Sequence, residues 1–97
     1  MIDTNEIRYF TLDFSDCKTI MEIYALIRKG LELPDWVGNN PNALWDSLWG
    51  IMYTPAVITV KQNFRDPQLH DYFEKLIEIM YEAEEEFGEI TVRIGTD

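Results

Sequence analysis

Residues 33–50 read LPDWVGNNPNALWDSLWG, and these eighteen positions hold three tryptophans, three asparagines and two aspartates. A core segment is not composed that way. Gly38 and the neighbouring Asn39 and Asn40 tolerate turn or left-handed dihedrals, and Pro41 suits the first helical position after an Asn40 cap. The pattern predicts a loop running into a helix from about Pro41 to about Met52. At about 100° per residue, Leu44, Leu48 and Ile51 share one side, which is expected to face the core. Asn42, Asp46, Trp49 and, if the helix extends that far, Tyr53 fall within a narrow arc opposite. Aromatic rings around a single charge supply large, rigid contact area at low entropy cost, which is how binding surfaces are built. Two readings of this arc stand: a binding face, or Trp49 tucked under a neighbouring loop with Asp46 merely solvated. Trp45 leans toward the core and is expected to pack.

The rest of the chain bounds what such a face could serve. Ninety-seven residues, 46% apolar and 13% aromatic, make one domain, residues 1–97, with a single core. No apolar run approaches the roughly 20 residues of a membrane span. The start MIDTNEIRYF lacks the basic and apolar regions of a signal peptide, so a cytoplasmic location is expected. The lone Cys17 cannot form an internal disulfide, which agrees with a reducing compartment. A net charge of −10 argues against nucleic acid and anionic membrane as partners and favours a basic one. Residues 66–89 hold nine acids against one base, Lys75, a local net of −8.

Outside the opening segment the elements alternate. Residues 6–12, with Ile7, Tyr9, Phe10 and Leu12, suit a first strand. Thr19 and Glu22 have the form of a capping box, so a first helix is expected from about residue 17 or 20 to Lys29, with Gly30 able to end it. Thr54-Pro55 stops the second helix, and the run Ala56 to Val60 is apolar on both faces, the mark of a central, parallel strand covered on both sides. Asp66-Pro67 starts a helix of about 20 residues with an apolar stripe from Leu69 to Phe87, and Gly88 terminates it. Ile90 to Ile94 is a last strand. Strands joined by helical crossovers pair in parallel, so the expected fold is α/β, a small three-stranded parallel sheet with helices packed on it.

Catalytic constellations do not stand out. His70 neighbours Asp71 in sequence and therefore points elsewhere on its helix, so it is expected at the surface. Glu74 and Glu78 have the spacing of a carboxylate metal site without matching ligands, and no phosphate-cradling glycine loop occurs. Neither an enzyme activity nor a metal or other cofactor is expected. Asp71, Glu74, Glu78, Glu82 and Glu85 lie opposite the apolar stripe, where a solvated face is the plain account.

Leu33, Pro34, Trp36, Gly38, Asn40, Ala43, Leu44, Trp45, Asp46, Leu48, Gly50 and Pro55 resemble, without a gap, the signature of the barstar family, intracellular protein inhibitors of bacterial ribonucleases. The similarity extends as a pattern over nearly all 97 residues and implies the same barstar-like fold. It implies a basic ribonuclease or nuclease toxin as the partner in a 1:1 complex, with Asp46 as the central anion among the enzyme's cationic groups. On that basis Trp36 lies over the active-site opening, Trp49 and Asn42 extend the contact, and Gly38, Asn40, Ala43 and Tyr53 complete the nuclease-binding surface. Glu82 falls where the family places a further acid that touches the nuclease. Family members often carry an acid where this chain has Asn42 and a tyrosine where it has Trp36, and the Asp13 to Thr19 region looks about six residues longer. These departures bear on which nuclease is bound: a barnase-like enzyme, or a toxin for which the chain is the immunity protein. An acidic adapter domain without a nuclease target is the alternative from another class. A nucleic-acid mimic acting through the Glu-rich helix is a third.

Overall fold

Alternating strand and helix signals produce the order β1 (Arg8–Asp13), α1 (Ile20–Gly30), α2 (Pro41–Gly50), β2 (Ala56–Lys61), α3 (Pro67–Phe87) and β3 (Ile90–Ile94). They are seen in a computed structural model that describes residues 6–95. The sheet runs β1-β2-β3 with both pairings parallel, so β2 is central, as its apolar sequence predicts. Register aligns Phe10, Ile58 and Val92 in one row and Leu12, Val60 and Ile94 in the next. All of these are buried except Ile94 at the sheet's end.

One expectation fails here. The sheet is covered on one face only: Tyr9, Thr11, Thr91 and Arg93 on the other face are exposed, and Thr59 is half-buried. Consecutive strands are neighbours, so both crossovers step the same way across the sheet. Connections of the usual right hand then bring every helix to the same side. Val57 is nonetheless buried on the open face, flanked in register by Tyr9 and Thr91, which is why the run reads as two-sided from sequence.

Capping residues fix the helices. The Thr19 hydroxyl accepts the Glu22 amide at 3.1 Å, and α1 begins at Ile20, so after Asp13 closes β1 the residues 14–19 are turn and loop, not helix. Gly30 is the last residue of α1, not its terminator; the left-handed residue is Glu32, at φ 57°. A Cβ at Gly30 would collide with the buried Leu12 side chain, so glycine lets α1 lie close on β1. In α3, Asp66 accepts the Gln68 amide at 2.9 Å, and Gly88 closes the helix at φ 72°.

The core lies between sheet and helices. Phe14, Phe64 and Phe73 cluster at one end, with Phe14 and Phe73 centroids 4.5 Å apart. Tyr24 of α1 and Tyr72 of α3 join hydroxyls at 2.6 Å, and burial, reinforced by that bond, pushes the Tyr24 phenol above its usual ionisation range. Cys17 is buried, and burial raises its thiol likewise. His70 is less free than expected: it is half-buried, with Nδ1 3.6 Å from Glu74 and its ring edge-on to Phe64.

Candidate functional site

The loop between α1 and α2 is tied down along its length. The Leu33 amide donates to the Arg28 carbonyl at 2.8 Å, the Val37 amide donates to Pro34 at 3.2 Å, and Leu33 and Val37 bury their side chains. Arg28 reaches across from α1, its Nη1 donating to the Val37 carbonyl at 3.3 Å and to the Asn39 side-chain oxygen. Trp36, between these anchors, stands 74% exposed. Gly38 has no left-handed dihedral; a Cβ there would lie 3.0 Å from the Asn40 side-chain nitrogen, so its smallness is what the loop uses.

Helix α2 begins at Asn40, whose Oδ1 accepts the Ala43 amide at 2.8 Å, followed by Pro41. Leu44 and Leu48 face the core, and Ser47, fully buried between them, donates to the Ala43 carbonyl at 2.7 Å. Asn42, Asp46 and Trp49 point to solvent, with Trp49 71% exposed. The ring is not tucked under a loop, though one edge meets Phe87 of α3 at 6.3 Å between centroids. Trp45 packs as expected, and its partner is the same Phe87, at 5.1 Å. Phe87 is thus held by both rings and fixes α2 on α3.

A depression of about 130 Å³ gathers Trp36, Gly38, Ala43 and Asp46, with Val37, Ser47 and Ile51 as its remaining walls. Asp46 is the one ionisable group in it. Asp46 is exposed and helps line an otherwise neutral, partly apolar hollow that Trp36 also lines. Such a hollow offers a cation both an ion pair and a ring face.

Two residues stand apart from this group. The helix ends at Gly50, short of Met52: the Ile51 amide still makes the ordinary helical bond to the Ser47 carbonyl at 3.1 Å, but the Met52 amide returns to that same carbonyl at 2.9 Å, out of helical register. Tyr53 therefore leaves the arc of Asn42, Asp46 and Trp49 and lies half exposed, with the Arg8 guanidinium 4.3 Å above its ring. Glu82 is on the exposed side of α3, and no hydrogen bond or ion pair among the described residues links it to α2. Arg28 and Phe87 are the supports that sequence reasoning missed as such. Arg28 in the last turn of α1 reads as complementing the helix dipole. Its partner Asn39, eleven residues on, has no periodic relation to it.

The arrangement is suited to contact, with no nucleophile beside a base in the depression. Among the described residues no three His, Cys, Asp or Glu side chains group as metal ligands, and no helix is long and apolar enough to cross a membrane.

Comparison with known proteins agrees with the signature read from residues 33–55. The family model described as Barstar (barnase inhibitor) matches residues 7–95. A Bacillus subtilis protein named "Putative ribonuclease inhibitor YrdF" is 31% identical over 80 residues, covering 81% of this chain and 88% of that protein.

Proposed function

The chain belongs to the barstar family, and from that premise we propose that it is an intracellular inhibitor of a bacterial ribonuclease, covering the enzyme's active site with the surface from Trp36 to Trp49. The observation that carries this reading is the solitary Asp46 carboxylate at a hollow walled by an indole that is 74% exposed. A ribonuclease presents Lys, Arg and His where it binds RNA phosphates. Asp46 supplies the anion that replaces a phosphate, and Trp36 covers the opening. Asn42, Ala43 and Trp49 carry the contact along α2, while Gly38 and Asn40 set the loop-to-helix geometry beneath it.

Charge elsewhere has a second use. The net of −8 over residues 66–89 draws a basic enzyme toward the molecule and speeds encounter, an effect that fades with salt. Glu82 adds a peripheral charge at the partner's rim. With Asn42 neutral, the centre of the face holds one carboxylate, which suits a nuclease with fewer cations at that point than a partner built for two. The enzyme is a barnase-like ribonuclease or a toxin nuclease for which this cytoplasmic chain is the immunity partner, bound 1:1.

The test is ribonuclease activity against barnase and against any nuclease encoded beside this gene, with the native chain and with Asp46→Ala. Removing one partner of a buried charge pair costs about 2–5 kcal/mol, so the inhibition constant should rise roughly 30- to 5,000-fold. A folded native chain that inhibits neither enzyme would refute the reading and leave the adapter alternative. Equal inhibition by the variant would remove Asp46 from the centre.

A further inference from the structure

Arg28 contacts the recognition loop at three points and is not itself among the residues that line the hollow. Its carbonyl accepts the Leu33 amide where the loop begins, and its guanidinium donates to the Val37 carbonyl and the Asn39 side chain where the loop ends. Between those points stands Trp36, 74% exposed. Arg28 is half-buried in the last turn of α1, and both side-chain bonds leave one nitrogen, Nη1, whose two hydrogens lie in the guanidinium plane and serve two acceptors at once. The second acceptor, Asn39, directly precedes the Asn40 cap of α2, so the same group also bears on where α2 starts.

We propose that Arg28 is a positioning residue for partner binding, an inference that rests on the nuclease-inhibitor reading. It holds residues 33–39 in the bound conformation before the partner arrives, so that Trp36 and Asp46 flank one hollow without an ordering cost at encounter. Preorganisation of this kind acts on the complex after it forms. Its signature is a change in dissociation rate, distinct from the effect of a changed charge, which acts on association.

Three variants separate these effects: Arg28→Met, which keeps the stem; Arg28→Lys, which keeps the charge but not the fork; and Asn39→Ala, which removes one acceptor. In the free chain, amide hydrogen exchange over residues 35–39 should be about five- to tenfold faster in Arg28→Met than in the native chain. Against barnase, the dissociation rate should rise about tenfold in Arg28→Met and less in Arg28→Lys, while association stays constant or quickens as a positive charge is lost. Arg28→Met with Asn39→Ala should be little worse than Arg28→Met alone, because the two share a contact. Unchanged loop exchange in Arg28→Met, or faster exchange with an unaltered dissociation rate, would overturn the positioning role while native inhibition stands. A native chain that inhibits no nuclease removes the binding part together with the reading it rests on, and the exchange measurement still decides the hold on the loop. Should Arg28→Met fail to fold, Asn39→Ala, at an exposed side chain, carries the same test.

Discussion

Replacing Gly30 by alanine sets two known effects against each other. Alanine is favoured over glycine by up to about 1 kcal/mol inside a helix, and by about half of that at the last helical position, where Gly30 sits. Against this, the new methyl would overlap the end of the Leu12 side chain, which has no exposed surface and is packed in the core, so it must shift against its neighbours. Overpacking of that kind costs about 1–3 kcal/mol. The clash wins, and Gly30→Ala should be less stable than the native chain by about 0.5–2.5 kcal/mol, lowering the midpoint by roughly 4–8 °C per kcal/mol. Gly50, the last residue of α2, is an internal control, because a Cβ there meets nothing within 4 Å. Gly50→Ala should stabilise by about 0.5 kcal/mol. Urea unfolding followed by far-ultraviolet circular dichroism reads both. In a Leu12→Ala background the cost of Gly30→Ala should disappear, since its cause has gone. A Gly30→Ala chain as stable as the native one would refute the close-contact argument and show that Leu12 moves aside freely.

Phe87→Ala removes the ring that holds both Trp45 and Trp49; with Phe87 half-buried, it should cost about 2–3 kcal/mol in chemical denaturation and also weaken nuclease inhibition by loosening α2 on α3. Tyr24→Phe breaks the hydroxyl pair with Tyr72 and should lower stability by about 1 kcal/mol near neutral pH. Tyr24 ionises at higher pH folded than unfolded, so its neutral form favours folding fully below the ordinary pKa of 10.0, and this contribution is lost as pH rises beyond it. Unfolding titrations at pH 9 and 11 should therefore show a steeper fall for the native chain than for Tyr24→Phe; parallel curves would remove Tyr24 from the alkaline transition.

Local chemistry that closes on itself was legible in the sequence. The Asp66 cap, Pro67 and Gly88 fix α3 within a few neighbouring atoms, and the parallel sheet with β2 at its centre follows from apolar runs separated by helices. Less legible were features set by contacts between elements. Gly30 reads as a helix stop, whereas its smallness answers to Leu12, eighteen residues earlier on another element. The second helix carries a helical pattern past Gly50, but the Met52 amide returning to the Ser47 carbonyl closes it, and Tyr53 lies against Arg8. At the site, spacing places Asn42, Asp46 and Trp49 on the arc opposite the core but leaves open whether Trp49 tucks under a loop; its exposure is decided by where that loop runs. Arg28, Phe87 and Arg8 escaped notice as supports because each acts through a partner on a different element. The uncovered sheet face was hidden by Val57, whose burial comes from its neighbours on the adjoining strands.

That bare face has a practical consequence. Thr91 and Arg93 project from the side of the sheet away from the helices, and so away from the α1–α2 loop that carries Trp36 and the helix α2 that carries Asp46 and Trp49. The chain's single thiol, Cys17, is buried and made harder to ionise by burial, so it reacts slowly with alkylating reagents. A cysteine introduced at position 91 can therefore be coupled selectively to a maleimide-coated sensor chip or bead. Every immobilised molecule then points the same way, with its recognition helix toward the flowing solution.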